Sequence, residues 1–82
     1  LQIFPNPGNV FTTLSLELLK ETKVKVELQN VAGGKIESIF NGSLPQGKSS
    51  IRVNTGNLAD GNYLIHCSDG EISKIVKLLV QH

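Results

Sequence analysis

The 82-residue chain has no methionine, no tryptophan and one cysteine, and its aromatic residues are three phenylalanines and a single tyrosine. One cysteine excludes an internal disulfide, so apolar burial must hold the fold. Lacking methionine even at position 1, the chain is expected to be a piece of a longer protein, cut out or processed. No apolar run approaches the ~20 residues of a membrane helix, and no secretory leader pattern is visible. A dominant charge is missing too. Eight basic and seven acidic residues leave a net +1, and the basic residues are scattered, which gives no case for nucleic acid.

What is present suits a small folded domain: 39% hydrophobic and 18% charged residues are the proportions of a globular chain, not a disordered one. A chain this short buries about 60–65% of its unfolded surface, enough for one modest core. Residues 1–82 therefore read as a single domain.

The stretch from Leu58 to Val80 organises the chain. Two β-rich runs flank Asp69-Gly70, and a two-residue type I′ turn there would pair Ser68 with Glu71, Cys67 with Ile72, Ile65 with Lys74 and Tyr63 with Val76. One face then carries Tyr63, Ile65, Cys67, Ile72, Val76, Leu78 and Val80, with Lys74 as its odd member. The other carries Asn62, Leu64, His66, Ser73, Ile75, Lys77 and Leu79; being only half polar, it is expected to be partly covered.

Upstream, Leu1 to Phe4 alternates until Pro5-Asn6-Pro7 removes two donors, which predicts the end of the first strand and a turn through Gly8-Asn9. Val10 to Leu18 has period two, with Val10, Thr12, Leu14, Leu16 and Leu18 inward. Leu18 to Thr22 is a connection. Val24, Val26 and Leu28 point inward from the next strand. Asn30 to Gly33 predicts a type I turn with Gly33 left-handed. Lys35 to Phe40 returns with Ile36 as its surest core residue, and Asn41-Gly42 and Pro45-Gln46-Gly47 bracket a loop around Leu44. Ser49, Ile51 and Val53 form a further strand, and Leu58 plugs the core ahead of Gly61 and Tyr63. About seven short strands without any helical period predict an all-β, antiparallel β-sandwich. The antibody-type signature is absent, because Ile65 and not a cysteine lies two residues after Tyr63.

Chemistry-bearing clusters are scarce. His66 reads as a solvated strand histidine whose nearest acids in sequence, Asp69 and Glu71, lie at the turn; no nucleophile–base–orienter set can be assembled, so no catalytic residues are assigned. Cys67 reads as a small buried hydrophobe. His66 and Cys67 point to opposite faces and cannot readily share a zinc ion with His82, while Asp60, Asp69 and Glu71 are too few for calcium. No metal or cofactor is expected. A sugar site would need exposed aromatic platforms, and Phe11 is the one aromatic that alternation turns outward. An immunoglobulin-like adhesion or carbohydrate-binding module is the alternative reading from another class.

Four local signals fall in order along the chain: Phe4-Pro5-Asn6-Pro7; Leu28-x-Asn30-x-x-Gly33-x-x-Ile36; Leu58-x-x-Gly61-x-Tyr63; and Gly70-x-x-x-Lys74-x-Val76. Together they resemble the C-terminal sorting domain of cargo proteins of the type IX secretion system, over essentially the whole chain. Many members end on a basic tail, whereas this chain ends Leu79-Val80-Gln81-His82. The resemblance implies a seven-stranded immunoglobulin-like sandwich without catalytic activity, carried behind a cargo domain in a Gram-negative exporter. Its partners would be an outer-membrane translocon and a cell-surface sortase-like cysteine peptidase that removes it at a junction upstream of Leu1. Its route would lead through the periplasm to the cell surface or medium.

For translocon recognition the sequence offers Lys74, Lys77 and Leu79 of the last strand with Leu64 and Ile75 nearby, since that strand is apolar on both sides. Two readings fit it: a docking surface, with strand addition at an open edge, or a strand that is simply central or covered by a loop. Pro5, Asn6, Pro7, Gly33, Leu58, Gly61, Tyr63 and Gly70 read as structural.

Overall fold

Period-two alternation becomes strand wherever it is sustained. A computed structural model of the chain describes residues 2–7 and 11–81, and within the first strand the side chain of Ile3 alone. The elements are β1 (Gln2–Pro7), β2 (Phe11–Leu18), β3 (Thr22–Asn30), β4 (Lys35–Leu44), β5 (Gly47–Asn54), β6 (Gly61–Ser68) and β7 (Ser73–Val80). A three-stranded sheet, β1-β2-β5, faces a four-stranded sheet, β4-β3-β6-β7, and every pairing is antiparallel. This is an immunoglobulin-like sandwich in which the fourth strand lies beside the third and not on the opposite sheet.

The inward positions build one core. Leu14, Leu16 and Leu18 of β2 with Ile51 and Val53 of β5 meet Val24, Val26 and Leu28 of β3, Ile65 and Cys67 of β6, and Leu78 and Val80 of β7. Each large aliphatic side chain so buried contributes about 1.5–3 kcal/mol of transfer free energy. Leu58, ahead of β6, and Tyr63, near the start of that strand, pack against this core as expected. The Asn30 turn also forms as expected: Gly33 N–H donates to the Asn30 carbonyl at 2.9 Å, with φ of 88° at Gly33. The Asn30 side chain adds bonds from the Ala32 and Gly34 amides.

Several expectations are corrected. Pro5 does not end β1: the strand runs through it, opposite Leu14, and ends two residues later at Pro7, opposite Thr12. An edge strand tolerates missing donors, and β1 is an edge. The inward place expected for Val10 and the turn at Gly8-Asn9 lie outside the described residues. Ile36 is not core but 44% exposed. Against consecutive β3 residues, β4 skips first Ile39 and then Ile36, so two register irregularities break its alternation, and Ile39 and Phe40 are its half-buried contributors to the core. Asn41-Gly42 does not open a loop either, since β4 runs on to Leu44 and only Pro45-Gln46 separates it from β5.

The β6–β7 turn is longer than the two-residue form. Cys67 pairs with Lys74, not Ile72, and Tyr63 with Leu78, not Val76. A type I′ turn needs positive φ at both central residues, and among the described residues only glycines have it; Gly70 does, at 93°, and Asp69 does not. Instead Asp69 Oδ1 accepts the Glu71 and Ile72 amides at 3.0 and 2.7 Å, and its own N–H donates to the Ile72 carbonyl. Aspartate captures the loop amides itself, which favours the wider turn. The slip is even, so every side chain keeps its expected face. Ile72 is the exception: the turn takes it out of the core and leaves it half exposed.

Candidate functional site

Of the residues put forward for recognition, Leu64, Ile75, Lys77 and Leu79 come together on the outer face of the four-stranded sheet. Leu64 lies opposite Lys77, His66 opposite Ile75 and Asn62 opposite Leu79. Lys74 does not join them: it pairs with Cys67, on the inward side of β7, and is exposed beyond the core. The cover expected for this face is not supplied by the described residues, as Ile75 is 58% and Leu79 54% exposed. Nor is β7 central. It is the edge of its sheet and pairs only with β6 among the described residues.

Beside Lys77 a shallow groove of about 360 Å³ is lined by Val31, Asn62, Tyr63, Leu64 and Lys77. Val31, in the Asn30 turn, was not among the candidates. A turn position carries no alternation signal, and only the packing of that turn beside β6 brings it to the groove. Tyr63 is fixed from below: its hydroxyl donates to the Ala59 carbonyl at 2.7 Å, the tyrosine corner of this sandwich class. Gly61 opens β6 opposite Val80.

A second feature of the same face is a charge cluster centred on Glu27. Glu27 Oε2 lies 3.5 Å from Lys25 Nζ and 3.4 Å from Lys35 Nζ, and its Oε1 is 4.0 Å from His66 Nδ1. Partial burial pushes the Glu27 carboxyl up, but the Lys35 hydrogen bond and the charges of Lys25 and Lys35 outweigh it and hold the group below its usual range. The nearest carboxylate to His66 is thus Glu27 on the adjoining strand, not Asp69 or Glu71 at the turn. Sequence separation hid it, because the β3–β6 pairing that sets Glu27 opposite His66 joins distant segments.

The other chemistry-bearing residues take inert places. Cys67 is buried, and burial followed by the Asp69 charge pushes its thiol up to about 11. Phe11 is outward, as alternation requires, but the Arg52 guanidinium sits 4.0 Å over its ring, so the face a sugar would stack on is occupied. Among the described residues no three His, Cys, Asp or Glu side chains gather as a metal site, and no helix is long and apolar enough to cross a membrane.

A family model described as the secretion system C-terminal sorting domain matches residues 2–81. The chain belongs to this type IX secretion sorting family. A sorting domain of this kind is a C-terminal signal for export, interacts with the secretion machinery with its cargo in the same chain, and leads to the cell surface or to secretion. No curated protein and no solved structure matches the chain. The sorting domain's four sequence signals sit at structural points: β1, the Asn30 turn, the tyrosine corner, and the entry to β7.

Proposed function

We propose that this chain is the non-catalytic address of a larger exported protein. It directs its cargo from the periplasm through the outer-membrane translocon, and a sortase-like cysteine peptidase at the cell surface then removes it at a junction upstream of Leu1. The observation that carries the reading is the family match over residues 2–81. The recognition surface is β7 with the outer face beside it: Ile75, Lys77 and Leu79, the facing Leu64, and Lys74 at the strand's far side. What supports this choice is exposed apolar side chain on an edge strand, which a monomeric sandwich does not need for its own stability.

The test fuses the domain to a periplasm-directed reporter in a type IX-competent cell. The parent fusion is expected outside the cell, and the Leu79→Lys fusion is expected to fold yet remain in the periplasm. Equal export of that folded variant removes β7 from the recognition surface. A reporter that reaches the exterior equally well without the domain ends the address reading itself.

A further inference from the structure

The sandwich has four sheet edges, and they are not equally guarded. In β1, Pro5 and Pro7 remove two backbone donors. In β4 two register irregularities, at Ile39 and Ile36, disrupt the edge. β5 keeps an unbroken register, but its outward side chains are Lys48, Ser50, Arg52 and Asn54, all polar and exposed. Among the described residues only β7 joins an unbroken eight-residue register to exposed apolar side chains on its outer face, Ile75 and Leu79, with Lys77 between them. Among the described residues no carboxylate lies within ion-pair distance of Lys74 or Lys77.

We propose that the edge of β7, which has no second strand partner among the described residues, takes up an extended strand of the export machinery whose outward side chains run apolar, acidic, apolar, with the acid opposite Lys77. The partner's place in export rests on the function proposed above; its chemistry rests on this edge. An added strand continues the sheet, so its outward residues stand directly opposite Ile75, Lys77 and Leu79. Opposite charges and apolar pairs at such positions stabilise, and like charges destabilise. The pattern is the same read in either direction, so parallel and antiparallel strands both satisfy it. A second copy of this chain fits poorly. If two β7 strands pair antiparallel with their outer faces on one side, the registers of fullest overlap set Lys77 opposite or diagonal to its own counterpart. The lysines thus repel the self-pairing that an open edge invites and attract a strand of opposite charge.

The test titrates the 82-residue chain, in low salt and followed by amide NMR, with two end-blocked seven-residue peptides. Both have threonine at alternate positions; one carries isoleucine, glutamate, isoleucine between them, and the other lysine in place of the glutamate. The glutamate peptide is expected to shift β7 amides and to bind about three- to tenfold more tightly, the span between an attractive and a repulsive cross-strand pair. Lys77→Glu is expected to reverse that order, which loss of folding cannot mimic. Equal binding of the two peptides, an unreversed order in Lys77→Glu, shifts centred on β5, or no shift at millimolar peptide each overturn the proposal. So does a concentration-dependent dimer with protected β7 amides, which would make a second copy the occupant. Reporter export separates the two layers. Lost peptide preference with export still blocked by Leu79→Lys rejects the acidic partner and leaves the address reading standing. Reversed preference with unimpaired export of Lys77→Glu keeps the acidic-strand chemistry but removes the export machinery as its bearer, and so rejects the proposal as stated.

Discussion

The two outer faces of the sandwich obey the same alternation and end up chemically unlike. Among the described side chains of the three-stranded sheet the outward residues include Thr13, Ser15 and Glu17 of β2 and Lys48, Ser50 and Arg52 of β5, and the exposed ring of Phe11 is capped by Arg52. On the four-stranded sheet they include Leu64, Ile75 and Leu79, with charge at Lys77, Lys23 and the Glu27–Lys25–Lys35 cluster. Both sheets bury largely apolar inner faces, with Thr12 a buried polar member on the three-stranded one, so folding makes much the same demand of each. Water makes the same demand of both outer faces, and only one meets it. The difference is what the proposed recognition role would account for, because exposed apolar side chains add little to the stability of the domain.

That contrast can be broken or sharpened by experiment, beginning with the largest effect. A thiol reports directly on which side of a sheet it occupies. Cys67 is expected to react with an alkylating reagent on the order of a hundredfold or more slowly than the thiol of a Leu79→Cys chain lacking Cys67, because the buried thiol reacts only through opening of the sandwich. Comparable rates would mean that the inner face is not closed.

Truncation gives the same contrast in free energy. Leu28→Ala, at a fully buried site, is expected to lose about 2–5 kcal/mol in urea unfolding, while Leu79→Ser changes stability by no more than about 0.5 kcal/mol. A loss at Leu79 as large as that at Leu28 would make the outer face structural after all. Tyr63→Phe removes one hydrogen bond beneath the groove and is expected to cost about 1 kcal/mol while leaving the β7 amide shifts in place.

The smallest effect lies in acid. The Ile72 amide, then the Glu71 amide, hold Asp69 below its usual pKa of 3.8. The folded form therefore releases its proton more readily than the unfolded one. That contribution is complete above the ordinary carboxylate range and disappears as pH falls through the lower folded value. Asp69→Asn is expected to flatten this part of the acid limb of thermal unfolding while keeping the turn, since an amide oxygen accepts the same bonds. An unchanged acid limb would locate the dependence elsewhere, with Glu27 next to test.

Much of the architecture was legible because it is local. The inward sets of β2, β3, β5 and β6 follow from period two, and the Asn30 turn from asparagine and glycine at fixed offsets. Ile36 was misplaced because a bulge shifts alternation by one residue, and nothing in Lys35 to Phe40 marks where the extra residue falls. Asp69-Gly70 carries the composition of a two-residue turn, yet its side chain captured two amides and widened the loop. For the candidate surface, four of the five residues could be placed on one face from parity alone, and Lys74 could be seen as the odd one. Neither the groove beside Val31 nor the Glu27–His66 contact could be read, since each needs strands far apart in sequence to lie side by side.

Taken by itself, then, the order of residues determined strands, faces and most turns, because a side chain's direction in a strand depends only on its neighbours in the chain. Tertiary pairing decided which strands became edges, where the register slipped and which apolar residues stayed wet. Those outcomes depend on hydrogen bonds and packing between segments that no local pattern connects. The exposure of Ile75 and Leu79 on an unguarded edge is one of them.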